Sequence, residues 1–197
     1  RARVEVGFEA SVGGGIPIIR TLKEGLAADR CSAVYGIVNG TSNYILSRMS
    51  SEGGEFAAVL KAAQAAGLAE ADASFDVDGI DAAHKLALLI QLAFGVRVPL
   101  TAISAEGIRH ISQIDMSFAR EFGFAIKSLA IAKRQGDRIE ARVHPTMVRR
   151  QHLLADVNGA LNAIVVQSDA LGASMYLGLG AGMMPTATAV LADVMAV

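Results

Sequence analysis

The segment from Glu70 to Lys85 reads E-A-D-A-S-F-D-V-D-G-I-D-A-A-H-K, and the apolar run L-A-L-L-I-Q-L-A-F follows it. The acidic part predicts a loop, and the apolar part predicts a largely buried helix over about residues 80–94. Asp81 and Lys85 stand four positions apart at the start of this helix, so they lie on one face and can form an ion pair. A lysine near the start of a buried helix needs such a partner.

Five acids precede Lys85 within this segment: Glu70, Asp72, Asp76, Asp78 and Asp81. Clustered carboxylates bind a cation or an amine, or raise one another's pKa. The alternative is a solvated i,i+4 pair on a helix surface, worth roughly 0.3–0.5 kcal/mol. Because the helix after Lys85 is apolar on nearly every face, its start is not expected on a free surface. The residues alone leave both a functional site and a structural pair as interpretations.

Composition restricts the class of protein. The chain has 197 residues, 52% of them hydrophobic, and a formal charge of −1. This charge gives no reason to expect nucleic acid or an anionic membrane as a partner, and the apolar runs are too interrupted for a membrane span. The single Cys31 cannot form an internal disulfide and, with no visible signal peptide, predicts a cytoplasmic location. Since the chain starts at Arg1 rather than Met, we expect a piece of a longer protein.

The hydrophobic pattern predicts an α+β fold. Single strands between helices come first and antiparallel hairpins follow. We therefore expect one domain, residues 1–197, with a mixed, largely antiparallel sheet and helices on one face. The predicted strands cover residues 4–12, 31–38, 124–133, 138–145, 160–167 and 174–179, and the predicted helices cover residues 18–26, 43–51, 56–66, 80–94, 114–121 and 186–195.

The turn Gly13–Gly15 has two interpretations. With Glu9 nearby, its backbone carbonyls can bind a cation through oxygen ligands. Alternatively it is a tight turn that requires positive φ. The spacing fails the dinucleotide fingerprint G-x-G-x-x-G. The histidines lack metal-ligand spacing and are predicted to be structural or surface residues: His84, His110, His144 and His152.

Two further turns allow a functional and a structural interpretation. Asn39-Gly40-Thr41 follows a predicted strand, where ligands gather in open α/β sheets, while Thr41 or Ser42 can cap the next helix. Gly180-Ala181-Gly182 precedes the last predicted helix and can bring free N–H groups to a phosphate or carboxamide. It can equally be an ordinary glycine turn.

Four long segments of the chain together carry a family resemblance. They read F-E-A-S-V-G-G-G-I-P-I-I from Phe8, G-I-V-N-G-T-S-N-Y-I-L from Gly36, G-L-A-E-A-D-A-S-F-D-V-D-G-I-D-A-A-H-K from Gly67, and G-A-G-M-M-P-T-A-T-A-V from Gly180. These segments resemble the homoserine dehydrogenase family. They occur in family order over nearly the whole chain. The resemblance implies the catalytic and dimerisation domain of an enzyme that also carries an NAD(P)-binding Rossmann domain and often a regulatory ACT domain.

The resemblance also implies a reaction, the interconversion of aspartate 4-semialdehyde and homoserine with NAD or NADP, and residue roles. Lys85 matches the proton donor and acceptor, with Asp81 beside it. Glu70, Asp76, Asp81, Gly40 and Thr41 match substrate-binding positions; Gly67, Glu70, Gly180 and Gly182 match positions near the cofactor; and Glu9, with the carbonyls of Val12, Gly14 and Ile16, matches a sodium site.

The chain departs from the family pattern in several places. Leu68 stands where the family usually has Tyr, Ala73 where it has Pro, and Leu177-Gly178-Leu179 where it often has Tyr-Gly-Pro. The Rossmann domain, with its glycine fingerprint and an upstream catalytic lysine, is absent from this sequence. We therefore expect the isolated chain to be inactive.

The strand segments 125–132 and 160–166 are apolar on both faces, so something should cover the second face of the sheet. The resemblance implies the same sheet of a second subunit, hence a homodimer; the alternative cover is the Rossmann domain. The rival to the enzyme is a non-catalytic oligomerisation or ligand-binding module with the same fold. An upstream strand followed by G-x-G-x-x-G would decide for the enzyme.

Overall fold

The computed structural model describes residues 4–196, so residues 1–3 and 197 of the predicted domain lie outside it. Within the described residues, six strands form one sheet in the order β2-β4-β3-β1-β5-β6. All neighbours pair antiparallel except β2 and β4, which pair parallel. The predicted mixed, largely antiparallel α+β fold is thus confirmed. The strands are β1 (Cys31–Ile37), β2 (Ser104–Ala105), β3 (Phe124–Gln135), β4 (Arg138–Arg149), β5 (Leu161–Ser168) and β6 (Gly172–Leu179).

The helices of residues 4–196 vary widely in length, and none is long and apolar enough to cross a bilayer. The α-helices are α1 (Ile18–Arg20), which continues into a wider π-helical turn (Thr21–Gly25), α2 (Gly40–Glu52), α3 (Phe56–Ala65), α4 (Ser74–Val77), α5 (Ile80–Phe94), α6 (Gln113–Glu121) and α7 (Met183–Ala196). Short 3-10 turns occur at Glu9–Ser11, Leu100–Ala102 and Leu153–Asp156.

The sheet has an apolar core on each of its faces. Side chains alternate along β3, so Ile126 and Ala130 face the packed helices while Leu129 and Ile131 face the opposite side. Helix α5 lies on the first face and buries Leu86, Leu89 and Ile90 completely. On the second face the 3-10 turn Leu153–Asp156 packs against part of the sheet. Both faces are therefore apolar, as the sequence predicts.

Residues 4–12 do not form the predicted strand. Val4 and Val6 are 72% and 65% exposed, and residues 9–11 form a 3-10 turn. The carboxylate of Glu9 accepts hydrogen bonds from the backbone N–H groups of Ile19 and Arg20 at 2.8 Å each. These contacts attach the segment to α1 rather than to a sheet edge, so tertiary contacts override the β-propensity of the valines.

Several element boundaries also differ from the prediction, most clearly in α2 and β4. Helix α2 starts at Gly40, three residues before the predicted start, because the side chain of Asn39 rather than that of Thr41 or Ser42 caps it. Strand β4 continues to Arg149, although Pro145 was expected to end it. The short β2 pairs with β4 only at residues 142–143. Pro145 lies beyond that pairing, so its missing N–H interrupts no ladder there.

Candidate active site

A pocket of about 440 Å³ lies where β1 ends and where helices α2, α5 and α7 begin. Its position follows from the topology, because β1 is a central strand and α5 packs directly against it. The pocket therefore collects residues from distant parts of the sequence. It is lined by Asn39, Gly40, Thr41, Tyr44, Gly67, Leu68, Asp76, Asp81, Lys85, Ala160, Leu179, Gly180, Ala181 and Gly182.

The ion pair predicted from the spacing of Asp81 and Lys85 is confirmed. Lys85 Nζ lies 2.7 Å from Asp81 Oδ2, and the two side chains are 21% and 18% exposed. The same ammonium donates to the carbonyl oxygen of Val38 at 3.0 Å. An ammonium group has three N–H donors. Two of them are used by these acceptors, which leaves one for a molecule in the pocket.

Asn39 links this ion pair to a second acid. Its Nδ2 donates to Asp76 Oδ1 at 2.7 Å and to Asp81 Oδ2 at 2.9 Å, while its Oδ1 accepts the N–H of Ser42 at 2.8 Å. Asn39 is only 7% exposed. One side chain therefore caps helix α2 and holds two carboxylates together. The sequence places Asn39 in a candidate ligand turn after a strand but indicates no role for its own side chain.

The predicted convergence of five acids is only partly correct. Asp76 and Asp81 line the pocket. Asp72 instead accepts the backbone N–H of Ser74 at 3.0 Å, and hydrogen bonds from the Ser74 side chain and backbone lower the pKa of this carboxyl rather than raise it. Asp78 pairs with Arg109, with Nη2 at 3.1 Å from Oδ2. The one-turn helix α4 separates these side chains by pointing them in different directions.

Glu70 is exposed and lies outside the lining of the pocket. The cause is the end of α3, where Gly67 has φ of 72° and the N–H of Leu68 bonds back to the carbonyl of Ala63 at 2.9 Å. This is a Schellman motif, with Gly67 at the predicted C′ position. After this motif, Gly67 and Leu68 line the pocket while Glu70 does not.

Two glycine turns pack against each other beside the pocket. The N–H of Gly15 donates to the carbonyl of Leu179 at 3.0 Å. A Cβ placed on Gly14 would overlap the backbone of Gly180. The candidate cofactor turn Gly180–Gly182 is thus supported by Gly13–Gly15, the turn that contains candidate cation ligands.

None of the candidate cation residues, Glu9, Val12, Gly14 and Ile16, lines the pocket. Glu9 is 4% exposed, and each of its carboxylate oxygens accepts one backbone N–H. The carbonyl of Ile16 accepts the N–H of Ile18 at 2.7 Å across an inverse γ-turn centred on Pro17. Over the described part of the chain, no group of three or more His, Cys, Asp or Glu side chains is arranged to hold a metal ion. A cation here would depend mainly on backbone oxygens.

Comparison with known proteins decides the family. The sequence model of the homoserine dehydrogenases matches residues 17–195. The chain belongs to the homoserine dehydrogenase family. A homoserine dehydrogenase of Neisseria gonorrhoeae is 50% identical over 194 residues, covering 98% of this chain and 45% of that enzyme. The resemblance inferred from four segments is therefore confirmed, and the chain spans less than half the length of this relative.

Solved homoserine dehydrogenases share the fold. The enzyme from Thiobacillus denitrificans matches with a TM-score of 0.93 and 51% identity, covering 95% of this chain and 43% of that chain. A hyperthermophilic archaeal homoserine dehydrogenase in complex with NADPH matches with a TM-score of 0.81 and 28% identity, covering 95% of this chain and 54% of that chain. The homoserine dehydrogenase fold thus extends over almost all of the described residues.

Three residues that differ from the family pattern lie either in the pocket wall or in the apolar core. Leu68 and Leu179 line the pocket and are 41% and 55% exposed. Ala73 is 5% exposed and packs in the core around α2 and α3. Two of the three departures therefore place aliphatic side chains in the pocket wall.

Proposed function

We propose that residues 1–197 are the catalytic and dimerisation domain of a homoserine dehydrogenase, which interconverts aspartate 4-semialdehyde and homoserine for threonine, methionine and isoleucine biosynthesis. The observation that carries this proposal is the Lys85 ammonium, which is held by Asp81 and the Val38 carbonyl inside the pocket. Family membership supplies the reaction class. The pocket supplies the groups that this reaction needs.

Lys85 is the proposed proton donor and acceptor. Reduction of an aldehyde develops negative charge on its oxygen, which requires a nearby positive charge and then a proton. The free N–H of Lys85 can supply both, because its other two donors already fix the ammonium in place. In the oxidation of homoserine, the same nitrogen in its neutral form would accept the hydroxyl proton.

The carboxylates of Asp76 and Asp81 suit an amino-acid substrate. Both line the pocket and are joined through the amide of Asn39. A substrate ammonium placed between them would gain charge-assisted hydrogen bonds. Gly40 and Thr41 form the adjacent wall, where the Thr41 hydroxyl donates to the Leu68 carbonyl at 3.1 Å. Glu70 remains a candidate for the outer edge of the substrate and cofactor sites.

Three lining glycines suit a nicotinamide cofactor, which when bound would supply or accept the hydride. They are Gly67, Gly180 and Gly182, and helix α7 begins at Met183 directly after the last of them. Glycines allow a planar ring to approach the backbone closely, and free N–H groups at a helix start can hold a carboxamide. The archaeal relative was solved in complex with NADPH, which supports NADP as one of the two candidate cofactors, NAD being the other.

We also propose sodium as the monovalent cation near Glu9. The buried Glu9 carboxylate has about four lone-pair sites, of which two accept backbone N–H groups. The remaining lone pairs, with the carbonyls of Val12, Gly14 and Ile16, provide the oxygen ligands that a hard cation prefers. Unfolding in sodium chloride and in tetramethylammonium chloride tests this. Equal midpoints at equal ionic strength would argue against the cation.

A homodimer in the cytoplasm completes the proposal. Leu171, Leu177 and Leu179 of the β6 hairpin are 61%, 56% and 55% exposed. Beside the 3-10 turn Leu153–Asp156 the second face of the sheet carries a groove of about 750 Å³. A symmetric contact with a second copy would cover such a surface.

The function is tested with the full-length gene product. NADPH should be consumed in the presence of aspartate semialdehyde, and NADP should be reduced in the presence of homoserine. A non-catalytic module would show neither reaction at any concentration of either cofactor. Binding of the cofactor without turnover would also contradict the proposal.

A further inference from the structure

Lys127 is a buried lysine on the face of the sheet opposite the pocket. It lies on β3, where strand alternation places it with Leu129 and Ile131 rather than with the residues that face the helices. Its side chain is 2% exposed within a single chain. Burial lowers the pKa of Lys127 from 10.5 to about 8, opposed by the field of Asp156 and reinforced by that of Arg150. Burying an ammonium group costs free energy of folding unless hydrogen bonds compensate for the lost water.

The compensating hydrogen bonds go to the loop Val157–Leu161, which connects the 3-10 turn Leu153–Asp156 to β5. Lys127 Nζ donates to the carbonyl oxygen of Val157 at 2.6 Å and to Oδ1 of Asn158 at 2.9 Å. These bonds use two of the three N–H donors of the buried ammonium. They also attach the loop to the middle of the sheet.

Helix α2 holds the same loop from the other side. Asn43 is 1% exposed, and its Nδ2, which has two N–H groups to share, lies within hydrogen-bond distance of the carbonyls of Val157, Gly159 and Leu161 at 3.1, 2.9 and 3.1 Å. The N–H of Gly159 donates to the Ser47 hydroxyl at 3.1 Å. The Val157 carbonyl accepts from both Asn43 and Lys127. One oxygen atom therefore joins the two supports of the loop.

The loop reaches the pocket through Ala160. Ala160 lines the pocket beside Gly40, the first residue of α2. The carbonyl oxygen of Ala160 lies 3.0 Å from the point where a Cβ on Gly40 would sit. The backbone of the loop therefore passes close to the start of α2, where only a glycine leaves room for it. A displacement of the loop would therefore change the shape of the pocket wall.

We propose that Lys127 is a positioning residue whose two hydrogen bonds fix the Val157–Leu161 loop and, through Ala160, the wall of the pocket at Gly40. The kinetic part of this inference rests on the proposed function; the structural part does not. The Asp81–Lys85 pair is held separately by Val38 and Asn39. Loss of Lys127 should therefore weaken substrate binding and leave the chemical step nearly unchanged.

Two measurements test the inference. In the 197-residue chain, Lys127→Met should accelerate amide hydrogen exchange at residues 158–161 by at least about tenfold, because the loop opens locally more often. In the full-length enzyme, the same variant should raise KM for the amino-acid substrate about three- to tenfold and change kcat by less than about twofold, as expected when uniform binding is lost. Lys127→Gln retains an N–H donor, so its increases in exchange rate and in KM should both be smaller than those of Lys127→Met.

The controls separate the alternatives. Lys61→Met removes an exposed lysine from α3 and should change neither measurement. Asn158→Ala removes one exposed acceptor of Lys127 and should act in the same direction as Lys127→Met but less strongly; if Lys127→Met does not fold, this variant decides. Unchanged exchange, or faster exchange with an unchanged KM, overturns the inference. If the wild-type enzyme shows no turnover, the proposed function fails and exchange alone decides whether Lys127 fixes the loop.

Discussion

Asp81 and Asn39 share a hydrogen bond of 2.9 Å at the same carboxylate oxygen that pairs with Lys85. The side chain of Asp81 is therefore held in one orientation, unlike that of an exposed ion pair on a helix surface. Its orientation is set by an amide that also caps helix α2. The start of α2 and the start of α5 are consequently fixed relative to each other at the pocket.

We expect Asn39→Asp to separate the capping role from the positioning role. Aspartate can still accept the N–H of Ser42, so the helix cap survives, whereas an alanine there should cost about 1 kcal/mol of stability. Aspartate donates nothing to Asp76 and Asp81 and adds a third negative charge beside them. Turnover should fall by roughly 10²-fold, as for misplaced catalytic groups. Thermal unfolding and steady-state kinetics check this, and near-normal kcat/KM in Asn39→Asp would contradict it.

The buried Lys127 predicts a pH dependence of stability. Its pKa is about 8 in the folded protein and 10.5 when unfolded, so between these values the unfolded chain binds more protons and folding becomes more favourable as pH rises. The unfolding free energy of the wild type relative to Lys127→Met should therefore increase from pH 7 to pH 10.5. The full increase is roughly 3 kcal/mol, from about 1.36 kcal/mol per pKa unit. Urea unfolding measures it, and a flat or falling difference would contradict the account.

The contact between the two glycine turns predicts that Gly14→Ala is severely destabilising. Its φ is 56°, and a Cβ there would overlap the backbone of Gly180, which cannot swing aside as a side chain can. Gly136→Ala is the matched control, because φ is 61° and nothing lies within 4 Å of the added atom. The control should lose about 1–2 kcal/mol from backbone strain alone. Equal losses in the two variants by calorimetry would show that the turns do not need this close approach.

The second face of the sheet predicts a dimer that a single charge can disrupt. Leu177→Lys places an ammonium on exposed β6 without changing a pocket residue. Sedimentation of the wild-type chain at micromolar concentration should give a dimer of this 20.5 kDa chain, and the variant should give a monomer. A wild type that sediments as a monomer would contradict the dimer.

Strong local patterns made some elements predictable. The bounds of α5 follow the predicted 80–94 because its apolar run is long and flanked by glycines. The β3–β4 hairpin also follows its turn residues, although it extends beyond Pro145. Residues 4–12 carried a strand pattern but found no partner strand. The β-propensity of a segment does not determine whether a partner strand lies beside it in the fold.

Local sequence patterns also predicted part of the candidate active site. The i,i+4 spacing of Asp81 and Lys85 defined an ion pair within one helix. The contacts of Asn39 with Asp76 and Asp81 span 37 and 42 residues, so no local pattern could reveal them. The acids Asp72 and Asp78 looked equivalent to Asp76 in sequence, yet helix α4 directs them elsewhere. The family resemblance pointed to Gly67, Gly180 and Gly182, which line the pocket, and to Glu70, which does not.

The central claim is that Lys85 transfers the proton in homoserine dehydrogenation. The direct measurement is kcat of the full-length enzyme with homoserine and NADP, for the wild type, Lys85→Ala and the exposed-lysine control Lys61→Ala, with the isolated 197-residue chain expected to be inactive. Lys85→Ala should lower kcat by roughly 10²-fold or more, the usual loss for a general acid or base, while Lys61→Ala matches the wild type. A Lys85→Ala enzyme with wild-type kcat would contradict the account.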